Sequence, residues 1–245
     1  MTQSLVLGID TSTVVSVGLA RGAEVLGSVT VDDRLAHAEQ LTPLIRQLLA
    51  AAGEPLAAVA QIVVGLGPGP FTGLRVGIAT ARVLASVRAV PLRGVCSLDV
   101  LAAQYADQLP GGDFLVATDA RRREVYWARY DRAGSRHSGP AVAAPAELDQ
   151  LPTVGPGADL YRDQLTGVPG PRALDAGVLA ARGLVLADAG DEPLYLRRPD
   201  AAVPGRAKSV LTWRADQRAD QRAERRPSRG DRARPNDPRS TGSPA

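Results

Sequence analysis

The sequence predicts an α/β fold of two unequal lobes, and three observations carry the prediction. Short apolar runs of strand character alternate with stretches of helical periodicity. The apolar run Leu5–Ile9 stops at an acidic residue, Asp10. A second run beginning at Phe114 stops in the same way at Asp119, which points to a duplicated ββαβ-type unit. A chain of 245 residues with 44% hydrophobic content has enough apolar material for a core of that size.

The elements follow in order. Leu5 to Ile9 reads as a strand, Asp10 to Thr13 as a tight turn of hydroxyl residues, and Val14 to Ala20 and Val25 to Val31 as two further strands. From Ala36 to Ala52 the apolar residues Leu41, Leu44, Ile45, Leu48 and Leu49 recur at three and four positions, predicting an amphipathic helix closed by Gly53. Gln61 to Leu66 reads as a buried strand, Gly67 to Gly73 as a glycine and proline loop, Leu74 to Val87 as a second helix and Pro91 to Val95 as a strand. The second half opens with a hairpin, Phe114 to Thr118 and Val125 to Tyr130. A proline and glycine stretch then runs from Gly134 to Pro171, and a helix is expected from Ala176 to Ala189. Residues 1–109 are thus read as the first lobe, 110–205 as the second, and 206–245 as an arginine-rich tail.

Charge is distributed unevenly. The tail holds 11 of the 29 basic and 5 of the 26 acidic groups, leaving 18 against 21 in residues 1–205. The positive excess therefore belongs to the tail, and direct nucleic-acid binding by the body is not what overall charge predicts. The repeats around Arg218, Arg222 and Arg226 have almost nothing to bury, so the tail is expected to be disordered. A single cysteine, Cys96, excludes an internal disulfide, and two histidines, His37 and His137, are too few for most histidine-based metal sites. No basic leader precedes an apolar run, and no apolar stretch has the length of a membrane span, so a cytoplasmic protein without a membrane segment is expected.

Two places could carry chemistry. The turn Asp10-Thr11-Ser12-Thr13 presents a carboxylate, three hydroxyls and backbone amides at a strand end, where phosphates and a hydrated divalent cation can be held. An ordinary turn satisfying its own backbone is the alternative. Asp119, with Arg121 beside it, stands at the matching place in the second half; actin-like ATPases (the ASKHA, ribonuclease H-like fold) set one such turn from each lobe on either side of a nucleotide. The glycines Gly67, Gly69 and Gly73 resemble a phosphate cradle, although the Gly-Lys-Ser/Thr ending of a P-loop is missing. Close packing of the second helix on the sheet explains Gly73 and Gly77 equally well.

Five motifs taken together resemble one family: Ile9-Asp-Thr-Ser-Thr13, His37-Ala-Glu-Gln-Leu-Thr-Pro43, Gly67-Pro-Gly-Pro-Phe-Thr-Gly-Leu-Arg-Val-Gly77, Asp119-Ala-Arg-Arg-Arg-Glu-Val-Tyr126 and Pro193-Leu-Tyr-Leu-Arg197-Arg198. They are similar to the bacterial TsaB (YeaZ) family, paralogues of TsaD, from residue 4 to about residue 200. The resemblance implies an actin-like fold and a non-catalytic role in forming N6-threonylcarbamoyladenosine beside the anticodon of tRNAs reading ANN codons. TsaD binds its metal through a His-x-x-x-His motif after the strand that follows helix 2. Here the matching run Gly94-Val-Cys-Ser-Leu-Asp-Val-Leu101 puts Ser97 and Leu101 in those places, and leucine cannot ligate a metal.

The partners implied are TsaD as a heterodimer, TsaE, and a homodimer in isolation, with tRNA met only through the complex. No cofactor is required by this chain, with ATP or ADP allowed at the complex interface. The family pairs its first two helices with those of the partner, which nominates His37, Leu41, Leu44, Leu48, Gly73, Arg75, Val76, Ala79, Thr80, Val83 and Leu84, with Ala81 and Ala85 as small contact residues. An intramolecular core accounts for the apolar ones equally well. Asp10, Thr11, Ser12, Thr13, Gly67, Gly69, Asp119 and Arg121 are then vestigial nucleotide turns. The competing reading is a small-molecule or sugar kinase of the same fold, with Asp10 as metal ligand. A peptidase lacks any Ser/His/Asp or metal constellation.

Overall fold

The computed structural model describes residues 3–31, 37–106 and 111–197, and for residues 37–39 the backbone alone. The expected disordered tail at 206–245 lies outside the described residues. The first half runs β1 (Leu5–Asp10), β2 (Val15–Arg21), β3 (Glu24–Val31), α1 (His37–Ala51), β4 (Val59–Gly65), α2 (Phe71–Arg88), β5 (Leu92–Val95) and α3 (Ser97–Ala106). The second runs β6 (Phe114–Asp119), β7 (Val125–Tyr130), β8 (Arg136–Ala143), β9 (Pro152–Val154), α4 (Pro156–Leu160), β10 (Thr166–Gly167), α5 (Ala176–Arg182) and β11 (Asp188–Gly190).

Two sheets result, ordered β11-β5-β4-β1-β2-β3 and β10-β9-β6-β7-β8. In the first, β1 pairs antiparallel with β2 and parallel with β4. In the second, β6 pairs antiparallel with β7 and parallel with β9. The order β4-β1-β2-β3 therefore recurs as β9-β6-β7-β8, so the duplication expected from the two aspartate-ended strands is present in the pairing itself.

Burial explains why the first strand reads as a continuous apolar run. Leu5, Leu7 and Ile9 join the cluster formed with α1 and α2, while Val6 points to the other face, among residues of α3 and α5. A strand covered on both sides has no polar face to alternate with. Helix α5 lies so near β1 and β2 that a Cβ at Gly8 or Gly18 would strike the Ala176 backbone. The Asp175 carboxylate caps this helix by accepting from the Gly177 amide at 2.7 Å.

Several expectations need correction. The second helix begins at Phe71, so Gly73 lies in its first turn and not in the preceding loop. The stretch 134–171 is not irregular throughout: β8, β9, α4 and β10 lie in it. Pro140 sits within β8, an edge strand where one missing amide donor can be tolerated. The helix expected over 176–189 stops at Arg182, and Asp188–Gly190 pairs with β5 on the first sheet. Residues 97–106, given no element from the sequence, form α3. Ser97, Leu98, Asp99, Val100, Leu101, Ala102, Ala103 and Tyr105 are all buried there, and a helix covered on every side shows no amphipathic stripe. Both α5 and β11 come from chain read as second lobe, yet they cover and extend the first sheet.

Candidate functional site

The aspartate turn at the end of β1 is closed by the protein itself. Asp10, Thr11 and Ser12 are buried. Asp10 Oδ1 accepts from the Ser12 amide at 2.8 Å and from Ser12 Oγ at 2.7 Å, and Oδ2 accepts from Ser97 Oγ at 2.5 Å. Ser97 Oγ also accepts from the Gly67 amide at 3.0 Å, and the Ser97 amide donates to Gly67 O at 2.8 Å. Strand β1, the glycine loop and the start of α3 are thereby locked to one another. Burial pushes the Asp10 carboxyl above the usual carboxylate range, with the hydrogen bonds from Ser97 and then Ser12 pulling the other way.

The glycines serve this closure. A Cβ on Gly65 would fall on the Asp10 carboxylate, and one on Gly77 would fall on Thr11 Oγ1. Gly69 lies against the backbone of Ser12 in the same way. Thr11 Oγ1 donates to Gly73 O at 2.7 Å, fixing the first turn of α2 to the turn after β1. The glycine loop here brings a helix down onto a strand end, the packing alternative raised from sequence. Asp10 is buried and both of its carboxylate oxygens have hydroxyl partners within the protein, so it presents no unpartnered oxygen to a metal. Thr13, whose Oγ1 is buried without a hydrogen-bond partner among the described residues, is the one hydroxyl of the turn left over.

The residues nominated for partner contact separate into two groups. Leu41, Leu44 and Leu48 are core residues with relative exposures of 0, 9 and 5%, and Gly73, Ala81 and Ala85 are buried as well. They pack in the chain's own core, the intramolecular alternative raised from the sequence. Val76, Thr80 and Leu84 are half-buried. Arg75, Ala79 and Val83 are exposed on α2, and Val87, absent from the residues nominated by sequence, is 76% exposed. Their spacing of four places them on one outer stripe of the helix. The exposed residues of α1 among those whose side chains are described, Thr42, Pro43, Arg46, Gln47, Ala50 and Ala51, add only the proline ring and two alanine methyls as apolar surface. The side chain of His37 lies outside the described residues.

At the head of that stripe sits a small aromatic and basic cluster. The Arg75 guanidinium lies 3.7 Å from the Phe71 ring centroid, and its Nε donates to Tyr195 Oη at 3.2 Å. The Phe71 and Tyr195 rings are 4.7 Å apart. Tyr195 belongs to the resembling segment Pro193–Arg197, whose place against α2 was not legible from the sequence.

The second turn is open. Asp119 is half-buried, its Oδ1 accepts from the Arg121 amide at 2.7 Å, and Arg121, Arg122 and Arg123 are exposed. Gly155 and Gly157, on either side of Pro156 where α4 begins, abut the backbone of Ala117 near the end of β6. Sequence reasoning also missed a buried network. Tyr130 Oη donates to Asp99 Oδ1 at 2.8 Å and Arg136 Nε stands 3.4 Å from the same oxygen, tying α3 to the second sheet. Burial raises the Asp99 carboxyl, offset by Tyr130 and Arg136, and pushes the neighbouring Cys96 thiol up to about 12, with Asp99 adding to it. Cys96 is therefore an inert packing residue. Among the described residues no group of three His, Cys, Asp or Glu side chains is arranged to hold a metal, and no helix is long and apolar enough to cross a membrane.

Residues 25–187 match the family model "TsaD: tRNA N6-adenosine threonylcarbamoyltransferase". A solved structure described as YeaZ from Pseudomonas aeruginosa superposes with a TM-score of 0.66 at 28% identity, covering 79% of this chain and 100% of that one. The chain belongs to the TsaD family, in its TsaB (YeaZ) branch. A protein of Mycobacterium tuberculosis (strain ATCC 25618 / H37Rv) without an assigned role is 47% identical over 205 residues, spanning 81% of this chain and 94% of that protein. The tRNA threonylcarbamoyladenosine biosynthesis protein TsaB of Escherichia coli K12 is 35% identical over 128 residues, 52% of this chain and 55% of that protein. Membership accounts for the two-sheet, actin-like architecture and for the five motifs.

Proposed function

We propose that the chain is a non-catalytic cytoplasmic subunit of the machinery that forms N6-threonylcarbamoyladenosine next to the anticodon of tRNAs reading ANN codons. It binds and activates TsaD, helps recruit TsaE, and pairs with itself when TsaD is absent. The observation that carries this reading is the closed aspartate turn: Asp10, 0% exposed, spends both carboxylate oxygens on Ser12 and Ser97. A kinase of this fold would need that carboxylate at a metal, so its burial weighs against the alternative. Leu101, where the paralogue's second metal-binding histidine is expected, is a core residue at 1% exposure.

The outer stripe of α2 supports the partner half of the proposal. Val83 and Val87, with Ala79 between them and Arg75, offer small and apolar side chains that are exposed among the described residues. Exposed apolar residues clustered on one element, with arginine and tyrosine at the border, have the composition of an interface core and rim. The test is a Val83→Glu, Val87→Glu double variant. It is expected to fold with an unchanged melting temperature and to lose co-purification with TsaD by tenfold or more; retained pairing would remove α2 from the contact.

A further inference from the structure

Arg75 is fixed by aromatic rings where other arginines of the fold are fixed by acids. Arg82 meets Glu192 and Arg93 meets Asp188, each as an ion pair. The Arg75 guanidinium instead lies 3.7 Å from the Phe71 ring centroid, and its Nε donates at 3.2 Å to the hydroxyl of Tyr195, a residue 120 positions further along the chain. One face and one donor of the group are thereby occupied. Its terminal Nη1 and Nη2 have no hydrogen-bond partner among the described residues. What stays exposed is a pinned fork of N–H donors, with part of the rotamer entropy of a free arginine already lost before anything binds.

The surroundings say what such a fork can meet. Arg75 heads the exposed stripe that continues through Ala79, Val83 and Val87. A planar fork of donors matches a carboxylate in two parallel hydrogen bonds, and apolar side chains alongside keep water from them. The helical face offers no such carboxylate itself. Helix α2 carries the arginines Arg75, Arg82 and Arg88 and no acidic residue, and the described side chains of α1 include Arg46 and no acid. Glu192, which reaches α2 from the segment after β11, is taken by Arg82. A second copy of this chain docked stripe to stripe therefore brings no acid of α2 to Arg75, while a partner that supplies an aspartate or glutamate completes the pair.

We propose that Arg75 selects the partner: clamped by Phe71 and Tyr195, it receives a carboxylate on the docking surface of TsaD, and the want of that carboxylate on α2 makes self-pairing the weaker association. This rests on the partner-docking reading above and names the chemistry that the partner must present.

The test measures two affinities for each full-length variant, for TsaD by calorimetry and for a second copy by sedimentation of the chain alone. Arg75→Gln is expected to lose about tenfold or more in affinity for TsaD, as an interfacial arginine separated from its carboxylate does, while self-association holds or tightens. Arg75→Lys keeps the charge without the fork and should recover only part of the loss. Tyr195→Phe frees the guanidinium from its hydrogen bond and should fall between the parent and Arg75→Gln. The gap between the parent and Arg75→Gln should narrow as salt rises, which a purely structural effect would not do. Melting temperatures are expected to hold, because Arg75 and Tyr195 are exposed. Unchanged affinity of Arg75→Gln for TsaD would overturn the proposal, as would equal losses in both associations. The Val83→Glu, Val87→Glu variant keeps the two claims apart. If it loses TsaD while Arg75→Gln does not, α2 docks without this contact; if it keeps TsaD, the docking reading fails and this proposal with it.

Discussion

Asp10 shows how one residue type in one place can mean opposite things. Exposed at a strand end, it would hold a cation; here Ser97 Oγ and Ser12 Oγ occupy its oxygens at 2.5 and 2.7 Å. Its carboxyl is raised by burial, so between about pH 3.8 and the higher folded value the native state holds more protons than the unfolded chain. The stability difference is fully present below that window and is lost as pH rises through the folded value. An Asp10→Asn variant, isosteric with the protonated acid, should match the parent near pH 4. At pH 7 it should be the more stable of the two, because the amide has no charge to bury and the parent's carboxylate does. Denaturant unfolding at the two pH values checks this, and a difference of opposite sign would show that the hydrogen bonds to the charged form outweigh burial.

At the scale of elements, α1 and α2 look alike in sequence and part company in the fold. Both have apolar residues at helical spacing, and that spacing reports only that one face is covered. In α1 the covered face is Leu41, Leu44, Ile45, Leu48 and Leu49 against the first sheet. Leu48→Ala should therefore cost about 2–5 kcal/mol of stability, as a deletion in a packed core does, with pairing to TsaD lost only in proportion to unfolding. In α2 glycine and alanine at positions 73, 77, 81 and 85 turn inward, leaving the branched Val83 and Val87 outside. That small residues share the inward face with Leu74 and Ile78 while two valines stay outside was present in the sequence. It became readable only once the buried face was known. Helix α3 is the opposite case, so evenly apolar that it gave no period to detect.

At the scale of the whole molecule, the segment after β11 holds distant parts together. The Leu194 amide donates to Leu66 O at 2.8 Å, and the Leu194 side chain packs against both large core clusters. Arg82 of α2 bonds the Asp191 carbonyl and the Glu192 carboxylate, and Arg197 pairs with Glu124 of the second sheet's turn. Leu194→Ala is expected to cost about 1–2 kcal/mol, less than a fully buried leucine because its site is half open. Hydrogen exchange should show the loss in both sheets together. Protection lost in one sheet alone would mean that the segment does not bridge the two cores.

Local signals in the sequence determined the strands ending at Asp10 and Asp119, the first helix, the hairpin at 114–130 and the family, because each depends on residues near one another in the chain. Long-range contact decided the rest. Ser97 meets Asp10 across 87 residues, and Asp188–Gly190 returns to pair beside β5. Whether a carboxylate is a ligand or a structural acceptor, and whether a leucine faces a partner or its own sheet, depends on what the chain brings from far away to fill the adjoining space. No local pattern encodes that.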